Sequence, residues 1–324
     1  MKRHVCMRLL AAAAALVLGS AAHAQGAAFP NKPVRLIISF TPGSATDIVG
    51  RIVAQKLSEI WGQPVVAENR PGAGGSIGSA VVVQSPPDGY TLLANSSAHA
   101  SNPAMYAKLP YDTLKDFTNL SPLAGQPNVL IVSPGTGWKT LADFVAAAKA
   151  KPGELNFSSA GLGSGTHLNL EKLMLVTGAK VTHVPYKGTP EAIADTIAGR
   201  VCCYFAPITA AVPHVTGGKA VALGVSSAKR AALLPDVPTI AESVPGFEYN
   251  LWVGLWGPPG MPADVAAKIN RDVQAALASP DVKERLQKLG AEPMQMTIPE
   301  FTQFVQREVA DSQRIIQAAG IKPQ

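Results

Sequence analysis

The stretch best equipped to hold an anion is Ser158-Ser159-Ala160-Gly161-Leu162-Gly163-Ser164-Gly165-Thr166-His167. Seven of these ten residues are Gly, Ser or Thr, so bare N–H groups and small hydroxyls line a turn between a short apolar run and a helical pattern. The start of a helix presents backbone N–H groups without intrahelical partners and the positive end of the helix dipole, which together favour negative charge. Phe40-Thr41-Pro42-Gly43-Ser44-Ala45-Thr46-Asp47 is placed in the same way. There Gly43 lets the backbone approach a ligand, and Ser44 and Thr46 can cap the helix or donate hydroxyl bonds. An ordinary capped turn fits the local pattern equally well. A third segment, Asn95-Ser96-Ser97-Ala98-His99, follows an apolar strand and adds neutral donors, and a solvated Ser-rich turn suits it as well as ligand contact.

If the first two loops face one another, two helix N-termini converge on one site, and a dicarboxylate with one anionic group for each loop is the ligand they would clamp. A helix dipole contributes only about 0.3–1 kcal/mol to an anion, so direct hydrogen bonds must supply most of the affinity. Enzyme chemistry finds less support in the same residues. Gly72-Ala73-Gly74-Gly75-Ser76-Ile77 and Gly161-Leu162-Gly163-Ser164-Gly165-Thr166 carry Ile and Thr where the third Gly of a dinucleotide fingerprint belongs. Neither has the Gly-Lys-Ser/Thr of a phosphate loop, and Ser164 lacks the flanking glycines of a nucleophile elbow. No catalytic residue is assigned. His99, His167, His183 and His214 show no metal-ligand spacing on one element, so no metal or cofactor is expected. His167 reads as a helix-start donor or packed histidine rather than a general base. Of Trp252 and Trp256, one could line a cleft and one lie in the core.

These loops need rigid elements to hold them. Val34 to Phe40 predicts a strand and Asp47 to Ile60 a helix. Pro64 to Ala67 and Tyr90 to Ala94 predict further strands around a helix from Ser76 to Gln84. The pattern resumes with strands at Val129 to Val132, Leu155 to Ser158 and Val201 to Phe205, alternating with helices at Leu141 to Ala150, Thr166 to Val176 and Pro190 to Ala198. A strand at Val221 to Ser226 and helices at Ala263 to Ala278 and Pro299 to Ala319 follow. Alternation of this kind predicts an α/β fold with a mostly parallel sheet covered on both faces. Two such lobes joined by crossing strands make a hinge and a cleft, with ligands beyond the carboxyl ends of the strands.

The chain has 324 residues, enough for two lobes. Lys2, Arg3 and Arg8, the apolar run Leu9 to Leu18 and Ala22-His23-Ala24 form the three parts of a secretory signal peptide spanning residues 1–24. A run of this length is too short for a bilayer, which needs about 20 residues. The expected mature chain is soluble and periplasmic, and loss of those three basic residues lowers the net charge from +6 to +3. Scattered charge and 6% aromatic residues exclude a nucleic-acid partner. Cys6 leaves with the signal, and the adjacent Cys202 and Cys203 are expected to be structural thiols on opposite faces of a strand.

Taken together the segments resemble the extracytoplasmic receptors of tripartite tricarboxylate transporters, the Bug-type, TctC-like family. The resemblance is carried by Phe29-Pro30-Asn31-Lys32-Pro33-Val34-Arg35, by Pro42-Gly43 with Asp47 and Arg51, and by Glu68-Asn69-Arg70-Pro71-Gly72-Ala73-Gly74-Gly75. Pro87-Asp88-Gly89-Tyr90-Thr91-Leu92-Leu93, the Ser159 to His167 loop and His183-Val184-Pro185-Tyr186-Lys187-Gly188 continue it. Leu234-Pro235-Asp236-Val237-Pro238-Thr239 and Trp252-Val253-Gly254-Leu255 complete it.

The resemblance implies a two-lobed periplasmic-binding-protein fold of the type II, Venus-flytrap kind. One discontinuous lobe would comprise residues 25–125 and 226–324, and the other 126–225. It implies a receptor, with no enzymatic activity, that delivers a small carboxylate to membrane transporter subunits, and a cleft that must open and close fits a monomer; a sensory receptor or a carboxylate-processing enzyme are the alternatives. The implied ligand contacts are Phe40, Thr41, Pro42, Gly43, Ser44 and Asp47 on one loop, with Ser96 and Ser97 beside them. Across the cleft they are Ser159, Ala160, Gly161, Gly163, Ser164, Thr166 and His167, with Ala206. Ser44 stands where relatives usually have a second Gly. Ala206 stands where many carry an acidic or amide residue, which leaves room for an apolar or aromatic body between carboxylates.

Overall fold

The computed structural model describes residues 29–324, so the expected signal peptide lies outside the described residues. Three parallel strands, β1 (Val34–Ile38), β2 (Val65–Asn69) and β3 (Thr91–Ser96), open the chain in the order β2-β1-β3. The apolar residues of β1 and β3 are buried on both faces, as helices on either side require, whereas those of the edge strand β2 are only partly covered. Leu36 and Ile38 enter a cluster with Val49 and Val53 of α1 (Ala45–Trp61), whereas Ile37 faces the opposite cluster with Val82 of α2 (Ser76–Val83). α3 (Ala98–Met105) follows β3 directly.

β4 (Thr118–Val132) is the long element of the fold, at 15 residues. Thr118 to Pro127 pair antiparallel with β9 (Asn250–Gly257), which in turn pairs with β3. Asn128 to Val132 belong to a second sheet, antiparallel to β7 (Cys203–Pro207) and β8 (Val221–Val225). That sheet continues through β5 (Asn156–Ser159) to β6 (Thr182–Pro185), both parallel. α4 (Leu141–Ala150) and α5 (Gly165–Thr177) cover one face of it, and α6 (Thr189–Ile197) and α7 (Ile208–Thr216) the other. The chain closes with α8 (Ala263–Ala278), α9 (Pro280–Gln287), the short β10 (Glu292–Pro293) on β4, and α10 (Ile298–Ala318). Ile269 and Val273 of α8 join the cluster under α1, while Phe301 and Val305 of α10 join the cluster under α2.

The sequence pattern reveals less of β4 and β9 than of the βα units. Only Val129 to Val132 of β4 reads as a strand, because Pro122, Gly125 and Pro127 break the run. The register shifts between Asn119 and Ser121 and between Pro122 and Ala124 accommodate those interruptions. α3 and α7 carry Pro103 and Pro213 inside them, the residues that mask a helical pattern. Cys203 is buried on β7, and Cys202 lies just before the strand, bordering the same cluster. The two thiols are free but do not face opposite sides, because the strand begins only at Cys203. No described helix is long and apolar enough to cross a membrane.

Candidate functional site

The first loop is held by one carboxylate. Asp47, nearly fully buried, accepts from Gly43 N at 2.9 Å, Arg51 Nε at 2.7 Å and Asn69 Nδ2 at 2.8 Å. Arg51 also donates to Asn69 Oδ1 at 2.8 Å, and Asn69 Nδ2 donates to the Phe40 carbonyl at 2.9 Å. With Gly43 at φ 80°, this network fixes the turn, and Ser44 Oγ caps α1 by accepting from Asp47 N at 3.4 Å. Asp47 and Gly43 are therefore consumed in building the loop. The free donors are the next two first-turn amides, Ala45 N and Thr46 N.

Neutral groups brace the second loop. Ser164 Oγ caps α5 by accepting from His167 N and lies 2.9 Å from Thr166 Oγ1, which itself accepts from Ala160 N at 2.9 Å. Ser159 Oγ accepts from Gly161 N at 3.1 Å and sits 2.5 Å from His183 Nε2. Gly163 N donates to His167 Nδ1 at 3.2 Å, which leaves the proton on His167 Nε2, 3.2 Å from Glu171 Oε1. The imidazoles of His167 and His183 stack with centroids 3.9 Å apart. Burial, and then the proximity of the His167 ring, push the His183 pKa down to about 3, so this ring is neutral at physiological pH. His167 is thus a packed residue under the loop. The unspent first-turn amides here are Gly165 N and Thr166 N.

Both helix ends line one narrow space. Phe40, Ser44, Ala45, Thr46 and Ser96 form one wall, and Ala160, Ser164, Gly165 and Thr166 the other, closed below by Thr189, Pro207 and Leu251. The void between them is about 10 Å³, room for about one water molecule. Through Phe40 and Ala160 it borders an outer chamber of about 260 Å³ lined by Gly72 to Gly75, Tyr106, Tyr186 and Lys187. Lys187, an exposed residue, is the one cationic side chain on either space.

The two walls touch, so the cleft is shut. Ser101 donates to the Gly163 carbonyl, Tyr106 to the Leu162 carbonyl at 3.4 Å, and Thr41 to Glu191 at 3.4 Å. A Cβ on Gly165 would lie 2.5 Å from Ser97 Oγ, and one on Gly74 2.5 Å from the Leu162 carbonyl. Glycine at these positions lets the walls meet.

The structure therefore brings together Phe40, Ser44, Ser96, Ala160, Ser164 and Thr166 at the void, and Gly161 at the outer chamber. It turns the others elsewhere. Asp47, Gly43, Ser159, Gly163 and His167 are spent inside their loops, and Thr41 bonds across the rim. Pro42 is exposed, and Ser97 packs against Gly165 without lining either space. Ala206 projects into the cluster around Tyr204 and Ala192, because alternation along β7 gives the cleft to Pro207 instead. Ala45, Gly165, Thr189, Pro207 and Leu251 escape the sequence reading. Trp252 and Trp256 are both buried and donate to Glu308 at 2.6 Å and Asn119 at 2.8 Å, away from the cleft. A separate groove of about 1280 Å³ opens beside β4 and β9, lined among others by Gly125, Gln126, Pro127, Asn250 and Trp252.

A model of the tripartite tricarboxylate transporter family receptor matches residues 49–321. The chain belongs to that family. Among relatives of this receptor, the UPF0065 protein in the tcbD-tcbE intergenic region of Pseudomonas sp. (strain P51) is 39% identical over 87% of this chain and 85% of its own. Protein BugT of Bordetella pertussis is 34% identical over 94% of both chains. The solved structure of R. palustris Rpa4515 with adipate superposes with a TM-score of 0.88 at 35% identity, covering 91% of the receptor and all of the R. palustris chain. MatC of Rhodopseudomonas palustris with bound malate gives 0.84 at 33% identity, covering 89% of the receptor and 100% of that chain. The receptor has the two-lobed binding-protein fold of these neighbours, with β4 running between its two sheets.

Proposed function

We propose that this receptor is a periplasmic, monomeric, non-enzymatic protein that closes on a small carboxylate and passes it to the membrane subunits of a tripartite transporter. The observation that carries the reading is the pair of opposed helix N-termini. Ala45 N and Thr46 N on one side, and Gly165 N and Thr166 N on the other, flank a single void with no cationic side chain on its wall. Neutral amides hold an anion by charge-assisted hydrogen bonds and leave no buried counter-ion behind when the cleft reopens. The adipate and malate of the two R. palustris structures support the class of ligand. Ser159 and His183 form a hydroxyl–imidazole pair, but Ser159 is fully buried and lines neither space, which favours binding over turnover.

The lobe division expected at residue 226 is better drawn at Asn250. Ile240 and Phe247 pack with α4 and α5, and Leu234 with α6 and α7, so residues 226–249 go with 126–225. Among the described residues, the remaining lobe then comprises 29–125 and 250–324. A thermal-shift series with mono- and dicarboxylates, sugars and amino acids tests the function. A ligand at 100 times its Kd adds about 2.7 kcal/mol of stability. A response confined to carboxylates, with the ligand recovered unchanged, is expected; a response to sugars or amino acids alone overturns the reading.

A further inference from the structure

The apolar packing between α5 and its sheet stops short of the cleft. Leu130 and Val132 of β4, Cys203 and Phe205 of β7, and Leu170 and Leu173 of α5 share one cluster. One step nearer the cleft on the same faces stand Asn128, Pro207 and Asn169. Asn128 opposes Pro207 in the antiparallel register, so their side chains share a face, and Pro207 lines the void. Asn169 lies one helical turn beyond Gly165 and Thr166, which also line it. Gln126 is two residues before Asn128 and opposes Leu251, another lining residue. The alternate residues Gly125, Pro127, Asn250 and Trp252 line the groove behind, which Gln126 also borders at its edge. By register Asn128 stands on the cleft side of β4 with Pro207, and Gln126 shares that face beside Leu251 where the cleft and the groove meet.

All three amides are buried: Asn128 and Asn169 are 0% exposed and Gln126 2%. Both polar atoms of Asn128, both of Asn169 and Nε2 of Gln126 lack a hydrogen-bond partner, as do Thr209 Oγ1 and Ser97 Oγ nearby. Gln126 Oε1 accepts from Thr209 N at 3.3 Å, which orients the amide with Nε2 as its free donor. Seven of the 11 partnerless buried side-chain atoms among the described residues thus belong to these three amides, to Thr209 beside Gln126 and to Ser97 beside Gly165. Each such group costs about 1–3 kcal/mol unless something polar meets it.

We propose that Gln126, Asn128 and Asn169 form a polar floor that selects carboxylates bearing a hydroxyl group on their carbon chain, an inference that rests on the carboxylate-receptor reading. An amide presents a donor and an acceptor together. A hydroxyl is also both, so one hydroxyl can meet an Nδ2 and an Oδ1 at once. A methylene meets neither, and a carboxylate accepts only, setting its charge against the amide oxygens. A site built to bond a hydroxyl rejects the analogue lacking it far more strongly than an apolar pocket discriminates by size. The apolar body expected from Ala206 is set aside with that residue's placement.

Calorimetric titration of the purified protein with succinate against D- and L-malate, and adipate against 2-hydroxyadipate, tests this. At least one hydroxy acid is expected to bind roughly tenfold or more tightly than its parent. In Asn128→Leu and Asn169→Leu that ratio should fall to within roughly threefold while the parent diacid keeps its affinity, a change that a packing role would not produce. Gln126→Met and Asn169→Ser serve the same test if the leucine variants do not fold, and the wild-type ratio requires no variant. Equal binding of parent and hydroxy acids by the wild type, or an unchanged ratio in the variants, overturns the floor and leaves the carboxylate receptor standing. Silence towards every carboxylate overturns both.

Discussion

The two loops that meet at the cleft do the same job with different materials. Each ends a strand, places a serine at the helix N-cap and leaves two first-turn amides facing the void. The loop before α1 is tied by a buried carboxylate, an arginine and an asparagine, whereas the loop before α5 is tied by hydroxyls, stacked imidazoles and small residues. What the ligand would meet is backbone in both cases. The side chains differ because they answer to their own lobe, so two unlike sequences can give like sites.

The largest effect should come from the surface the loops share. Gly165→Leu places bulk where even a Cβ meets Ser97, so ligand affinity should fall by at least roughly 100-fold in a titration. Its thermal stability without ligand should hold, since leucine is the better helix former. Loss of folding would mean that Gly165 serves its own lobe and not closure.

Next comes the ionic brace. Asp47→Ala removes the acceptor of three hydrogen bonds and strands Gly43 N and Asn69, so chemical denaturation should show a loss of about 2–3 kcal/mol, moderated by the half-exposed Arg51. Thr166→Val, its neutral counterpart, should cost about 1–2 kcal/mol by freeing Ala160 N.

Acid should then separate the loops. The His183 pKa lies near 3 when folded and near 6.5 when unfolded, so the unfolded chain takes up a proton that the folded one refuses. This contribution is complete above pH 6.5 and is lost as the pH falls towards 3, by up to about 2 kcal/mol between pH 6.5 and 5. His183→Gln should flatten the dependence of melting temperature on pH across that window. It should not abolish it, because burial holds His99 at about 3 as well, in a separate aromatic cluster. An unchanged slope would place the acid sensitivity outside the second loop.

Smallest should be the caps. Ser44→Ala and Ser164→Ala each lose an N-cap, worth about 1 kcal/mol, and the second should cost more because Thr166 also loses its neighbour. Equal losses would mean that the two loops are braced alike.

Much of this was legible in the chain. Gly43 and Gly163, the Ser44 cap and the apolar runs before the loops mark where helix ends should lie, because turn chemistry and caps are local. Asp47 was legible as a loop residue but not in its role, since whether a carboxylate faces ligand or scaffold depends on Asn69 and Arg51 folding beneath it. Thr189, Pro207 and Leu251 were invisible for another reason: they reach the cleft from strand and helix ends far apart in sequence. Pro122 and Pro127 disguised β4, whose irregular register only its partners reveal.

That strand has a consequence for how the molecule comes apart. Because β4 supplies a ladder to both sheets, neither half can melt while the other keeps its full set of backbone bonds. The receptor should unfold as one cooperative unit, with no half-folded species for proteases to find.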